Sequence, residues 1–570
     1  MKRLVLALLG ASLLAFASCG GGDTGIIENA DGSIIYTRPD KDGSAVKYNQ
    51  KHDGFTNVTI INGKAVKTLN PINVNLAEYK NKDVLFDFSC DVKVVEESGK
   101  DSDLIWMINE VSANMPQLAR EKVKSGEWVT MKGSCFIHLS GEQNFYLSSS
   151  GMHLDKRTFY LKNFKFQLSG EGLGKNASQP MDWYEAPSLK EAYKDIFDYI
   201  GIACTFRNEF EKPYIANGVA RHANTVTAGN EFKPDFVFAW NRPRNFVDFK
   251  AEDGKTYKVP AGMPKFGSQS DYLHACKEAG VKMRGHTLVW HSQTPNWFFK
   301  EDFDINKPEV SKAEMTARQE WYIKTVLEFV DNWEKQYNNG EHIIVSWDVV
   351  NEAVADGASA TNWLRAGNSK WYDVYGDATF IVNAFRFANK YAPADVKLVY
   401  NDYNCYSPGK LNGICNIIDM IQATPDARID AVGMQSHVKI DYPAVTGQNS
   451  YEAAVQKFIS KGLDVHVTEL DIANGKNPYS PFLLKAKYKE YYEMFIRNRK
   501  TEGKNGITSV TVWGVNDENT WLNNQKEYKD LTQYPLLFKK KTAEENEQEL
   551  VCKPAFSGVL EAAQDFNSSK

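Results

Sequence analysis

Two rhythms of apolar and polar positions divide the chain. From about residue 28 to 170 the pattern is short and alternating, in runs such as "NVTIING", "KDVLFDFSCDVKVV", "DLIWMIN", "EWVTMKGSCFIHL", "NFYLSSS" and "TFYLKNFKFQLSG". These runs are rich in β-branched and aromatic residues and are separated by Gly, Asn, Asp and Ser. Period-two strands with turn formers between them predict an all-β sandwich over 28–170. The glycine-rich, weakly apolar stretch at 171–182 reads as a linker.

After the linker the rhythm changes. Near-continuous apolar runs alternate with stretches whose apolar positions recur at helical spacing. The apolar runs are "GIACTF", "ANTVTAG", "VKMRGHTLVWH", "IIVSWDVVNE", "VKLVYNDYN", "IDAVGMQSH", "LDVHVTELD" and "TSVTVWGVND"; the helical stretches include "EMTARQEWYIKTVLEFVDNWEKQY" and "PFLLKAKYKEYYEMFIRNRKTEG". Ser188 with Glu191 three residues on marks a helix start. Strands apolar on both faces imply a parallel sheet covered by helices. Eight such units predict an α/β fold, a (β/α)8 TIM barrel, over 183–567. An open doubly wound sheet is the structural alternative, but no GxGxxG follows the first strand.

From the second run onward, each run ends in polar groups: Asn230 and Lys233; His286, Trp290, His291 and Gln293; Asn351 and Glu352; Asn401, Asp402 and Tyr403; Gln435 and His437; Glu469 and Asp471; Trp513 and Asp517. One such residue is usually a cap or a loop contact. Seven strands ending this way, at the barrel face where the C-terminal strand ends converge, predict an active site.

Composition narrows the chemistry. A net charge of −5 offers no basic stripe for nucleic acid, and the 13 Trp, 27 Tyr and 31 Phe suit either a large core or a sugar-binding surface. The strand ends carry no metal-ligand spacing, serine elbow or phosphate loop. They do carry two candidate carboxylates, Glu352 and Glu469, on strands four and seven. Paired carboxyl groups in an aromatic, hydrogen-bonding cleft are the equipment of glycosidic bond hydrolysis. One acid keeps its proton to give to the leaving oxygen, while the other stays ionised toward the oxocarbenium-like centre.

"RGHTLVWHSQTPNW", "WDVVNEA", "GMQSHV", "VTELDI" and "VTVWGVNDENTWL" occur in that order. They resemble the signature blocks of glycoside hydrolase family 10, the endo-β-1,4-xylanases, over roughly residues 185–565. The resemblance implies a retaining double displacement on xylan, with Glu352 as acid/base and Glu469 as nucleophile. It implies His437 and Asp471 as the pair orienting Glu469. Asn230, Lys233, His286, Trp290, Gln293, Asn351, Tyr403, Gln435, Trp513 and Trp521 are then expected to contact xylan or xylo-oligosaccharide. In "TVTAGNEFKPD" the chain departs from the family, which usually has Glu where Gly229 stands. The resemblance gives that Glu a contact with the second glycone sugar, and Glu231 is not expected to replace it. Another β-1,4-glycan as substrate, or an inactive glycan-binding barrel, are the competing readings. No cofactor and no metal are implied, and a monomer is expected.

The 28–170 region resembles the carbohydrate-binding modules that precede such enzymes, through "GEWVTMKGSCFIH" and "FYLKNFKFQLSG", with Lys162 and Asn163 where Asp is usual. Trp106, Tyr146 and Trp128 are its ring candidates, and Trp128, opening a strand, is expected in the core. Residues 1–18 read as a lipoprotein signal peptide. Lys2 and Arg3 precede "LVLALLGASLLAF", which is too short to span a bilayer, and Ala17-Ser18-Cys19 resembles a bacterial lipobox, with Phe16 where Leu is commoner. Cys19 is the expected lipidation site, followed by a flexible spacer at 19–27. The expected location is a membrane anchor facing the cell surface or periplasm of a Gram-negative bacterium. The other seven cysteines form no CxxC pair. Cys405 and Cys415 are close enough in sequence to bridge, and most of the seven are expected to be buried thiols.

Overall fold

The computed structural model describes residues 26–29, 33–37, 46–49, 58–61, 64–67, 72–80, 82–96, 102–109, 117–139, 142–149, 157–170, 173 and 180–569, the last stretch without 239–240, 477–480, 530 and 542–548. The leader and Cys19 lie outside the described residues. The chain divides into two compact units, Met1–Ser178 and Gln179–Lys570.

The first unit contains two antiparallel sheets. In the larger, Asp83–Glu96 pairs with Trp128–His138 on one side and Arg157–Ser169 on the other. The smaller runs Ile72–Asn75, Glu142–Ser149, Ser102–Asn109, Gln117–Val123 in spatial order. Phe86, Val92, Met131 and Phe166 from the larger sheet and Val74, Val123 and Leu147 from the smaller share one apolar core, which makes the sheets the two layers of a sandwich. Trp128 is not in that core: it is 39% exposed. Its strand buries Met131, so the even-numbered positions Trp128, Thr130 and Lys132 face outward. The ammonium groups of Lys93 and Lys162 lie over its indole, 5.0 and 4.3 Å from the ring centroid. The side chains of Trp106 and Tyr146 fall outside those described.

The second unit is the barrel. Its strands are Tyr199–Cys204 (β1), Thr225–Ala228 (β2), Lys282–Trp290 (β3), Ile344–Asn351 (β4), Lys397–Asp402 (β5), Ala431–Met434 (β6), Asp464–Ala473 (β7) and Ile507–Val512 (β8). Each pairs in parallel with the next, and β8 pairs with β1, closing the sheet. The eight strands coincide with the eight apolar runs because both faces of every strand are covered: all ten residues of β7 are buried. Outside lie helices such as Lys312–Tyr337, capped by Ser311 Oγ accepting from the Glu314 N–H, and Pro481–Arg497. Each fully buried Val, Leu, Ile or Phe side chain contributes about 1.5–3 kcal/mol, so the continuous core between strands and helices dominates the stability of this unit. Packing there is close enough that Gly285 has no room for a Cβ, which would overlap the buried indole of Trp347.

Three register shifts interrupt the barrel near one end. They fall between His286 and Val289 on β3, between Asp348 and Val350 on β4, and between Val467 and Leu470 on β7. Such irregularities bend a strand and re-aim its side chains. Two of them flank the strand ends that carry Glu352 and Glu469.

Cys405 and Cys415 are both buried free thiols, so the bridge their spacing would allow is not formed.

Candidate active site

One cleft of about 790 Å3 opens at the C-terminal ends of the barrel strands. Its lining includes all fourteen residues that the sequence assigned to the barrel site: Glu352, Glu469, His437, Asp471, Asn230, Lys233, His286, Trp290, Gln293, Asn351, Tyr403, Gln435, Trp513 and Trp521.

Glu352 follows β4 with a φ of +58°, in the left-handed region that non-glycine residues seldom occupy. Such a conformation costs on the order of 1–3 kcal/mol and persists only where its surroundings hold it. Here its N–H donates to the Asn401 carbonyl at 2.9 Å, and its own carbonyl accepts from Arg365 Nε at 2.9 Å. The next two N–H groups, of Ala353 and Val354, donate to the Tyr400 hydroxyl at 3.0 and 3.2 Å. The carboxylate that this backbone presents accepts from Trp290 Nε1 at 2.9 Å and from Gln435 Nε2 at 2.8 Å.

Glu469, within β7, is 5% exposed. Its Oε1 accepts from Asn401 Nδ2 at 2.9 Å and its Oε2 from His437 Nε2 at 3.1 Å. Burial pushes its carboxyl up, but the His437 hydrogen bond and the nearby imidazoles of His286 and His437 outweigh it and hold it below the ordinary glutamate range. His437 reaches it because the short strand His437–Lys439 pairs in parallel with β7, setting His437 opposite Asp471. Burial disfavours charge on His437. The facing carboxylates of Asp471, 2.9 Å from Nδ1, and of Glu469 overcome this and raise its imidazole to about 10. His437 is therefore an imidazolium at neutral pH, donating from both ring nitrogens. Trp521 Nε1 donates to the same Asp471 oxygen at 2.8 Å.

The two carboxylates are tied together by amides. Asn401 Nδ2 donates to Asn351 Oδ1 as well as to Glu469, and Gln435 Nε2 donates to Asn351 Oδ1 at 3.2 Å as well as to Glu352. Asn351 Nδ2 is buried in the cleft wall without a protein acceptor. An unmatched buried donor costs about 1–3 kcal/mol, a loss that a substrate hydroxyl at this position would remove.

Around this pair the walls are aromatic and cationic. Lys233 Nζ donates to Asn230 Oδ1 at 3.0 Å and lies 5.3 Å from the Trp290 ring centroid. Burial lowers its ammonium, while the negative charges of Glu469 and Glu352 work against that shift. His286 donates from Nδ1 to Asp348 at 2.9 Å, and its ring lies edge-on to Trp513 at 5.8 Å. Arg284 pairs with the same Asp348 and donates from Nη1 to His466, whose imidazole burial drives down to about 3, leaving it a neutral acceptor. Tyr403 is held by Arg365 Nη2, which donates to its hydroxyl at 2.8 Å, and by Asp356.

Some polar strand-end residues are not part of the cleft lining. Asp402 forms a buried ion pair with Lys410 at 2.7 Å, and Asp517 one with Lys553 at 2.6 Å. His291 stands 3.9 Å from Glu352, and burial lowers its imidazole to about 4. Glu231 turns away from the cleft to accept from the Phe206 N–H at 2.7 Å, which agrees with its not taking the part of a side chain at 229. No cleft residue was expected on strand one. Yet Glu209, in the π-helical turn after β1, and Thr205, which precedes that turn, line the cleft beside Gly229 and Asn519. The supports Arg365, Arg284 and Asp348 were also missed, since each acts through partners distant in the chain.

Comparison with known proteins agrees with this geometry. Residues 188–562 match glycosyl hydrolase family 10. The chain is 37% identical over 328 residues to endo-1,4-beta-xylanase Y of Acetivibrio thermocellus, covering 56% of this chain and 28% of that one. It is 36% identical over 377 residues to endo-1,4-beta-xylanase B of Butyrivibrio fibrisolvens, covering 66% and 53%. It thus spans from about a quarter to half the length of these relatives. Among solved structures, it resembles the CBM22-1 and GH10 modules of an N-terminal endo-1,4-beta-D-xylanase of Clostridium thermocellum complexed with xylohexaose, at 26% identity and a TM-score of 0.53, covering 94% of this chain and 96% of that one. With two thirds of its length matched and two buried-strand carboxylates facing one cleft, the chain belongs to glycosyl hydrolase family 10.

Proposed function

We propose that this protein is a retaining endo-β-1,4-xylanase that cleaves internal bonds of xylan by double displacement. The observation that carries the reading is the shared amide bridge between the two carboxylates. Asn401, Asn351 and Gln435 hold Glu352 and Glu469 on one cleft, each with a different set of partners. Glu469, kept ionised beside the His437 imidazolium, attacks the anomeric carbon. Glu352 gives its proton to the departing glycosidic oxygen, whose bond to that carbon breaks. In the second step Glu352 takes a proton from water as the water displaces Glu469, so the sugar leaves with its starting configuration. Trp290, Trp513 and Trp521 line the cleft and offer flat faces for sugar rings.

The N-terminal sandwich is read as a carbohydrate-binding module, which its likeness to a CBM22-containing structure supports. The pattern at residues 2–19 supports export and a lipid anchor at Cys19.

The test is release of reducing ends from xylan, arabinoxylan, cellulose and mannan by a soluble chain starting after Cys19, with Glu469→Ala alongside. Activity on the xylans that vanishes in the variant supports the reading. Activity mainly on cellulose or mannan keeps the mechanism and overturns the substrate.

A further inference from the structure

Glu209 is a buried carboxyl on the cleft wall that the chemistry above does not use. It arrives on the π-helical turn Phe206–Phe210, an insertion type frequent at functional sites. It is 8% exposed and lines the same cleft as the catalytic pair. Its Oε2 accepts from the Thr205 N–H at 2.8 Å and from Thr205 Oγ1 at 3.1 Å, and its Oε1 accepts from Asn519 Nδ2 at 3.2 Å. Three donors fix its position: Thr205 fills both acceptor sites of Oε2, and Oε1 keeps one free, since a carboxylate has about four acceptor sites.

The wall beside it carries no side chain at position 229. Gly229 faces Thr205, whose methyl group fills the space where a side chain at 229 would begin: a Cβ there would stand 2.8 Å from Thr205 Cγ2. Gly229 thus presents only backbone to the cleft, and the carboxylate that lines the cleft beside it is Glu209, on the turn after the neighbouring strand. The next residue, Asn230, accepts from Lys233, whose charge is felt by both Glu469 and Glu352. Away from the catalytic pair, the wall therefore runs through Lys233, Asn230 and Gly229 to Glu209 and Asn519. Around the barrel this is the β8–β1–β2 side, opposite Tyr403 on β5. Lys233 and His286 both act on Glu469, so a sugar bonded to Glu469 in the proposed reaction would lie against them, and Glu209, past Asn230 and Gly229 on the same wall, stands where the next sugar would come.

We propose that Glu209 is a specificity-determining residue, its Oε1 accepting a hydroxyl hydrogen from the second sugar on the nonreducing side of the cleaved bond. This deepens the xylanase reading and rests on it. A charge-assisted hydrogen bond donated to a prepositioned carboxylate binds a sugar with that hydroxyl and rejects one that lacks it. Burial raises the Glu209 carboxyl above the ordinary range, which fits a group built to regain hydrogen bonds from a ligand.

The test compares 4-nitrophenyl β-xyloside with 4-nitrophenyl β-xylobioside, which share a leaving group and differ only by the second sugar. For the wild-type protein, kcat/KM should rise when that sugar is added. In Glu209→Gln and Glu209→Ala that gain should shrink about ten- to hundredfold. Equal losses on both substrates would mean that Glu209 only supports the turn, and an undiminished gain would mean that it does not touch sugar; either overturns the assignment. A wild-type protein that cleaves neither substrate overturns the underlying reading, and the inference with it. Should both variants lose their melting transition, the contrast is read in the wild type with a xylobioside whose distal sugar lacks its 2- and 3-hydroxyls. Equal kcat/KM for that compound and the parent also overturns the assignment.

Discussion

Asn401 donates from Nδ2 to Oε1 of Glu469 at 2.9 Å, and its main-chain carbonyl accepts the N–H of Glu352 at 2.9 Å. One residue at the end of β5 thus positions both carboxylates, one through its side chain and one through its backbone. Its Oδ1 accepts from Thr468 Oγ1 at 2.7 Å, so the amide can face only one way. The parallel register that sets Asn351 beside Asn401 makes this link possible.

Replacing Asn401 separates shape from hydrogen bonding. Asn401→Ala leaves Glu469 Oε1 short of a donor and should lower unfolding free energy by about 1–3 kcal/mol. Asn401→Asp keeps the shape but turns a donor into a second carboxylate against Glu469. It should be the worse of the two, by about 3–5 kcal/mol relative to wild type, with a larger loss of kcat. Urea unfolding and xylan kinetics on both variants check the order. Asp tolerated better than Ala would mean that Asn401 does not act as a donor to Glu469.

His437 sets the acid side of the pH profile. Its imidazole, ordinarily near 6.5, is raised to about 10, so its contribution to stability is complete below about 6.5 and is lost as pH rises through about 10. Glu469 is shifted the other way, downward, so its ionised form and the stability it brings are lost only as pH falls through that lowered value. His437→Gln removes the positive charge and should move the acid limb of kcat/KM to higher pH, leaving less activity at mildly acidic pH. An acid limb that stays in place would show that His437 is not what keeps Glu469 ionised.

The strands, the barrel and the cluster of residues that meet in one cleft were legible because burial on both faces writes itself as unbroken apolar runs, and polar groups at the ends of such runs are costly to place without purpose. Asp402 and Asp517 show the limit of that signal. Each ends a run as Glu352 and Glu469 do, but each is matched by a lysine that only the folded chain brings near. Glu209 was missed for another reason: a π-helical turn has no periodicity in sequence, so nothing there says where its side chain points. Trp128 was misread in phase rather than in kind. The alternation around it was read correctly, but the buried member is Met131, an odd number of residues away.

Arg365 should act on kcat through the backbone of Glu352. Its guanidinium donates from Nε to the Glu352 carbonyl at 2.9 Å and from Nη2 to the Val354 carbonyl at 3.1 Å, bracing the left-handed φ of Glu352. Arg365→Ala is expected to lower kcat on xylan about tenfold, as one catalytic group loses about 1.4 kcal/mol of alignment. Arg365→Lys should not restore it, because a single ammonium cannot reproduce the fork. Since Arg365 also holds Tyr403, some rise in KM is expected, smaller than the fall in kcat. Recovery of kcat by Lys would argue that charge, not the fork, is what Glu352 needs.

Introducing Glu at position 229 should weaken the protein rather than complete it. The new Cβ would meet Thr205 Cγ2 at 2.8 Å, and overpacking of this kind costs about 1–3 kcal/mol. The new carboxylate would also stand near that of Glu209, so kcat/KM on 4-nitrophenyl β-xylobioside should fall. Thr205→Ser removes the obstructing methyl while keeping the hydroxyl that donates to Glu209 at 3.1 Å. The double variant Gly229→Glu with Thr205→Ser should therefore recover most of the lost stability but little of the lost kcat/KM, because the clash is relieved and the like charges are not. A double-mutant cycle on melting temperature and kinetics measures both parts. Strict additivity in stability would mean that Thr205 is not what keeps position 229 a glycine.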